Sequence, residues 1–119
     1  MLAKATKLLM LSNINEKEMC VFCEIDESLI LLQNDYFFVI RDKHPVSRGH
    51  LLIISKRHVE SYFDLQPDEC LALHGISSEA KTRLDQEFQP SGYNLAVNQG
   101  RSAGQTVFHF HLHLIPRYG

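Results

Sequence analysis

No apolar run in the sequence approaches the roughly 20 residues needed to cross a membrane as a helix, so a helical membrane span is not expected. No long basic run is present either, and the formal net charge is -2. A broad electrostatic surface for long nucleic acid is therefore not expected, although a small anion held by a local site is not excluded. No internal repeat or low-complexity segment is visible, which argues against a solenoid or a disordered linker. The opening stretch MLAKATKLLMLSN has an apolar patch, Leu8 to Leu11, too short for the core of a secretion signal. It reads as a loosely held extension over residues 1–19. There are only 3 cysteines, and with no secretion signal they point to a reducing cytoplasm rather than a disulfide framework.

The 119 residues, 45% hydrophobic and 22% charged, suit one soluble domain with a sizeable core. Two short apolar runs, LILLQ and YFFVI, flank Asn34 and Asp35 and read as strand, tight turn, strand. The loop DKHPVSRG follows, broken by Pro45 and Gly49, and then the buried-type strand HLLIIS. DLQPDE is a helix entry, with Pro67 in the first turn and Asp68 and Glu69 at the positive end of the helix dipole. Leu73, Ile76, Ala80 and Leu84 keep helical spacing, and the helix should end before Pro90 and Gly92. YNLAV is a strand, NQGRSAGQ a glycine-containing loop, and TVFHFHLHLI the last strand. The expected fold is α+β, an antiparallel sheet with one long helix packed on it.

The last strand carries the chemistry. Side chains on a strand alternate between faces, so His109, His111 and His113 should share one face with Val107 and Ile115. Phe108, Phe110, Leu112 and Leu114 should share the other and pack on the helix. At strand rise the outer two histidines would lie about 13 Å apart, so three imidazoles cannot all meet one ion without a bend. They can play three roles side by side. The face reads as a solvated polar surface, as a metallohydrolase site using an H-x-H pair, or as a site for nucleophilic catalysis. The loop before it, NQGRSAGQT, offers Gly100 and Gly104 together with Ser102, Gln105 and Thr106. It can turn backbone N–H groups toward an anion. A phosphate cradle beside an imidazole points to phosphoryl or nucleotidyl transfer.

HFHLHLI, His109 to Ile115, matches the whole His-φ-His-φ-His-φ-φ signature (φ apolar) of the histidine triad (HIT) family, which the sequence resembles closely. AGQTVFHFHLHLIPR, GHLLIISKRH and CVFCEI extend the resemblance over about residues 20–119, leaving residues 1–19 outside it. The resemblance implies the HIT-like fold and cleavage of nucleotide conjugates at the α-phosphorus. Dinucleoside polyphosphates and nucleoside phosphoramidates are the implied substrate types. His111 would be the nucleophile, forming a covalent nucleotidyl-histidine that water hydrolyses. A backbone carbonyl accepting its Nδ1–H would aim Nε2 at phosphorus. His113 would assist the leaving group, and His50 would support its hydrogen bonding.

By the same resemblance, Asn98, Gln105 and Thr106 contact the phosphate, with Gly104 in the same loop. Asp42 would hold the ribose hydroxyls and Phe22 would line the base pocket. Lys43 stands where many members carry an apolar residue beside the base, which bears on base preference. Cys20 and Cys23 form a C-x-x-C pair that on its own fits a metal site, a redox pair or coincidence. The resemblance adds His58 and His109 as further ligands of a structural zinc. No catalytic cofactor is expected. Cys70 reads as a small apolar residue on the helix, and His44 and His74 have no matched role. A cytoplasmic homodimer is expected. The competing functions are a regulatory nucleotide-binding module with incidental hydrolysis and a metal-dependent hydrolase.

Overall fold

The computed structural model describes residues 20–119; the extension expected over residues 1–19 lies outside the described residues. Five strands form one antiparallel sheet: β1 (Leu32–Gln33), β2 (Phe37–Arg41), β3 (Leu51–Ser55), β4 (Gly92–Ala96) and β5 (His111–Arg117), in the order β1-β2-β3-β5-β4. One long helix, α1 (Pro67–Phe88), lies between β3 and β4 in the chain. Among the described residues, the expected antiparallel sheet with one packed helix is thus the architecture found.

Helix α1 forms where the sequence signals placed it. Pro67 opens the first turn, and Glu69 Oε1 accepts the Gln66 backbone N–H at 2.8 Å, satisfying an orphan donor. Gln89 takes the left-handed conformation that closes the helix before Pro90. Leu73, Ile76, Ala80 and Leu84 are buried against Val39, Ile53, Phe110, Leu112 and Leu114 of the sheet. Each of the larger side chains contributes about 1.5–3 kcal/mol by burial. Ionic contact adds a second anchor: Arg57 Nε and Nη2 donate to Glu69 at 2.8 and 3.0 Å. That pair ties the segment after β3 to the start of α1 and sets the path of His58.

Register explains which residues face the other way. Val39, Ile53 and Leu112 are aligned across β2, β3 and β5 on the helix side. The rows beside them, Phe38–Ile54–His111 and Ile40–Leu52–His113, face away from the helix. Phe38, Ile40, Leu52 and Ile54 make a second apolar cluster, covered by Phe22, Ile25 and Ile30 from the N-terminal segment. Both faces of the central strands are therefore buried, which accounts for their unbroken apolar runs.

Two expected strands were too long. LILLQ pairs only at Leu32 and Gln33, while Glu27–Leu29 is a 3-10 turn capped by Asp26. The last strand starts at His111 and runs on to Arg117, not from Thr106 to Ile115. The chain leaves the sheet just before it: Phe110 N–H donates to the Val59 carbonyl at 2.6 Å, and the His109 ring swings to a different set of partners. The bend that three neighbouring imidazoles would need is made there.

Candidate active site and metal centre

Two groups of side chains meet on the face opposite α1. In the first, His109 is fully buried, and its Nε2–H donates to the Ser55 carbonyl oxygen at 2.7 Å. That bond leaves the Nδ1 lone pair facing Cys20 Sγ at 3.3 Å, Cys23 Sγ at 3.4 Å and His58 Nδ1 at 3.1 Å. Cys23 Sγ is also 3.3 Å from His58 Nδ1, and all four donor atoms lie within 4.8 Å of one another. In a tetrahedral zinc shell the same donors would stand about 3.3–3.8 Å apart. The donor chemistry and the spacing both fit a closed two-sulfur, two-nitrogen site.

The second group lies where β2, β3 and β5 run side by side. His111 Nδ1 donates to the His109 carbonyl oxygen at 2.9 Å, so its Nε2 carries the lone pair. His50 Nδ1 accepts the Val46 N–H at 3.0 Å, which places its proton on Nε2. That proton points to His113 Nδ1 at 3.0 Å, with Asp42 Oδ2 slightly farther at 3.3 Å. His113 in turn is left with its proton on Nε2. Burial pushes the imidazoles of His50, His109 and His113 below the usual histidine range. At His50 the Asp42 carboxylate works the other way, and at His113 the neighbouring His111 and His50 reinforce the burial. Both imidazoles are thus biased toward the neutral form, and Asp42 Oδ2 stands 3.3 Å from His50 Nε2 beside the His50–His113 bond.

Local sequence explains why His50 is where it is. Gly49 has a φ of 90°, and a Cβ there would come 2.9 Å from Cδ2 of Phe88 on α1. Only glycine lets the chain turn this close to the helix and enter β3 with His50 inward.

A cleft of about 490 Å³ opens beside His111 and His113. Phe22, Ile25, Ile40 and Leu52 give it apolar surface, and Asp42 and Thr106 lie at its polar side. The Phe22 ring meets the His111 ring edge-on at 5.0 Å between centroids. Lys43 and His44 are exposed at the rim.

Several expected site residues thus meet. Cys20, Cys23, His58 and His109 converge, and Asp42, His50 and His113 form a second cluster next to His111. Asp42 lines the cleft, yet its Oδ1 already accepts the His44 N–H at 2.8 Å. Gln105 is placed differently. Its side chain is buried, with Oε1 accepting from Gly100 N–H at 2.8 Å and Nε2 donating to the carbonyls of Glu60 and Val107. It braces the loop rather than lining the cleft. Asn98 lies behind Gly104, whose φ is 95° and whose missing Cβ would sit 3.6 Å from Asn98 Nδ2. Cys70 is half-buried against the core and His74 is exposed.

Sequence reasoning expected a backbone carbonyl at His111 Nδ1, which is that of His109, but missed the Val46 N–H and the Ser55 carbonyl that orient His50 and His109. Backbone groups leave no residue-type signal. It also missed Ile40 and Leu52 as cleft lining. The signal was there, since a strand apolar on both faces needs a cover on each.

The HIT domain profile matches residues 23–119. The crystal structure of a HIT family protein from Bacillus anthracis superposes with a TM-score of 0.78 at 38% identity, covering 84% of this chain and 74% of that one. A zinc-bound histidine triad family protein from Mycobacterium smegmatis gives 0.77 at 31% identity, covering 87% and 78%. Adenylylsulfatase HINT3 of Arabidopsis thaliana is 35% identical over 102 residues, 82% of this chain and 52% of its own length.

Proposed function

The chain belongs to the HIT family, a family of nucleotide-binding hydrolases and transferases, and from that premise we propose that it cleaves nucleotide conjugates at the α-phosphorus through a nucleotidyl-His111 intermediate. The observation that carries this reading is the His111 Nδ1 bond to the His109 carbonyl, which leaves Nε2 unprotonated beside the cleft. A neutral imidazole so fixed is an oriented nucleophile.

The steps follow from the tautomers. His111 Nε2 donates its electron pair to the α-phosphorus, and the bond from phosphorus to the leaving group breaks. The ring becomes positively charged, and its Nδ1–H bond to the His109 carbonyl strengthens accordingly. The leaving group departs with the bond's electron pair, as an oxyanion when it is a phosphate, and accepts a hydrogen bond from His113 Nε2–H. Water then attacks phosphorus, the P–Nε2 bond returns its pair to His111, and the water proton leaves with the nucleotide product or to solvent. His50 keeps His113 in the donating tautomer throughout. Asp42 would take the ribose hydroxyls, Phe22 the base, and Thr106 with the Gly100–Gly104 loop the phosphate. Asn98 and Gln105 would act by shaping that loop.

Cys20, Cys23, His58 and His109 would hold one zinc ion. With four protein donors it has no open position, so it supplies folding stability and no Lewis acid to the reaction. Among the described residues no helix is long and apolar enough to cross a membrane. A cytoplasmic two-fold homodimer is part of this reading; β4 is an edge strand with Leu95 58% exposed, a surface such a partner would cover.

A second reading has a footing in Asp42, His50 and His113, whose donor atoms also lie within 4.8 Å of one another. A metal held there would make the protein a metallohydrolase. The discriminating experiment offers dinucleoside polyphosphates, adenylyl sulfate and adenosine phosphoramidates and follows AMP release, with and without a chelator. Release that survives chelation but is lost in His111→Ala supports the covalent reading. Release that stops on chelation, with the fold intact and activity restored by metal, supports the metallohydrolase.

A further inference from the structure

Two residues, Phe22 and His109, join the four-donor centre to the cleft. The first is Phe22, which lies between Cys20 and Cys23 in the 3-10 turn Val21–Glu24. Cys23 N–H donates back to the Cys20 carbonyl at 3.1 Å, so the turn is tight. The Phe22 ring stands edge-on to both His111 and His109, at 5.0 and 5.9 Å. Val21, Phe22, Glu24 and Ile25, all from this turn and its exit, line the cleft. One wall of the cleft is therefore held against His58 and His109 by the two cysteines.

The second joining residue is His109. Its side chain offers Nδ1 to the donor set, while its own main-chain carbonyl takes the His111 Nδ1–H. A residue whose ring is fixed on one side has its carbonyl fixed on the other, because Cα joins them across a short, buried segment. Two cysteine sulfurs and two imidazole nitrogens lie within 4.8 Å of one another. An ion bound by all four would fix Phe22 and His109 along with them.

We infer that Cys20, Cys23, His58 and His109, when they hold an ion, position His111 and close the cleft wall, so that metal occupancy and nucleotide affinity are linked through Phe22 and His109. Phe22 and His109 are positioning residues in this respect. The nucleotide half of the inference rests on the function proposed above; the His111 half does not. Linkage is reciprocal: the factor by which metal strengthens nucleotide binding equals the factor by which nucleotide strengthens metal binding.

Both halves can be read without turnover. Full-length protein labelled with ¹⁵N-histidine is prepared zinc-loaded and zinc-stripped. In the loaded form His111 shows a single tautomer with its proton on Nδ1, and in the stripped form that signature is lost or divided. AMP affinity is measured by calorimetry on both forms, and zinc affinity by chelator competition with and without AMP. The two coupling factors agree and fall in the range of about 5–150-fold. Phe22→Leu keeps all four donors and an apolar side chain but loses the ring contact; it retains one zinc per chain, and its coupling factor falls toward one. This variant keeps the test decisive if stripped wild type does not stay folded.

Equal AMP affinity in both forms, with His111 resonances unchanged, overturns the inference. So does full coupling in Phe22→Leu. If AMP binds neither form, the nucleotide reading itself has failed, and the His111 spectra still decide whether the metal centre positions the ring.

Discussion

The Nδ1 atom of His111 lies 2.9 Å from the backbone carbonyl oxygen of His109, so the ring that faces the cleft is oriented by the residue whose own ring faces the cysteines. His111→Ala should abolish nucleotide release, by about 10⁴-fold or more, as expected when a nucleophile is removed. AMP binding and thermal stability should stay close to wild type, because the imidazole packs at the edge of the cleft rather than within the main core. His113→Ala should cost less, about 10²–10⁴-fold, the scale of lost assistance to a leaving group. Steady-state turnover of the two variants, with calorimetric binding of AMP, checks both.

Asp42 lines the cleft and also stands 3.3 Å from His50 Nε2. Asp42→Ala should weaken binding of nucleotides with an intact ribose by more than it weakens 2′,3′-dideoxy analogues. Loss of two hydroxyl-to-carboxylate bonds corresponds to about 10-fold or more. Equal losses for both ligand types would assign Asp42 to the histidine cluster alone.

For the metal, the expectation is about one zinc per chain by elemental analysis. Cys20→Ser with Cys23→Ser should lower the melting temperature by about 10 °C, because metal binding energy is folding energy in such sites. Turnover should fall far less than in His111→Ala. Metal-free protein with an unchanged melting temperature would return the two cysteines to coincidence.

Acid should destabilise the protein through His50. Burial holds its folded pKa below the unfolded value of about 6.5. Between those two values the unfolded chain binds more protons, so stability falls as pH drops below about 6.5 and the loss is complete below the folded pKa. His50→Asn should flatten this part of the stability-against-pH curve. Urea unfolding from pH 7.5 to pH 5 on both proteins measures it; parallel curves would show that His50 does not contribute.

Much of this was legible in the residues themselves. The spacing of Leu73, Ile76, Ala80 and Leu84 and the signals at Pro67 and Pro90 located α1, because helix faces and ends are written locally. Alternation correctly put Phe110, Leu112 and Leu114 on the helix side. It failed at the start of β5. Nothing in TVFH marks a departure from the sheet; the pull comes from Ser55 and Val59, some 50 residues earlier in the chain, whose carbonyls take the His109 ring N–H and the Phe110 N–H. Gln105 shows the same limit. Its residue type offered donors to a phosphate, but its Nε2 donates to the carbonyls of Glu60 and Val107, and its Oε1 accepts the Gly100 N–H. Long-range backbone partners decide such cases, and no single-residue pattern encodes them.

The covalent intermediate is the centre of the account, and trapping it is the most direct test. Enzyme in excess over an adenylyl conjugate is quenched within a single turnover under conditions that preserve phosphoramidates, digested, and examined by mass spectrometry. The account predicts an adenylyl group on the peptide containing His111, assigned to His111 by fragmentation, formed and lost at rates matching turnover and absent from His111→Ala. An adenylyl group on another residue, or full turnover by His111→Ala, would contradict it.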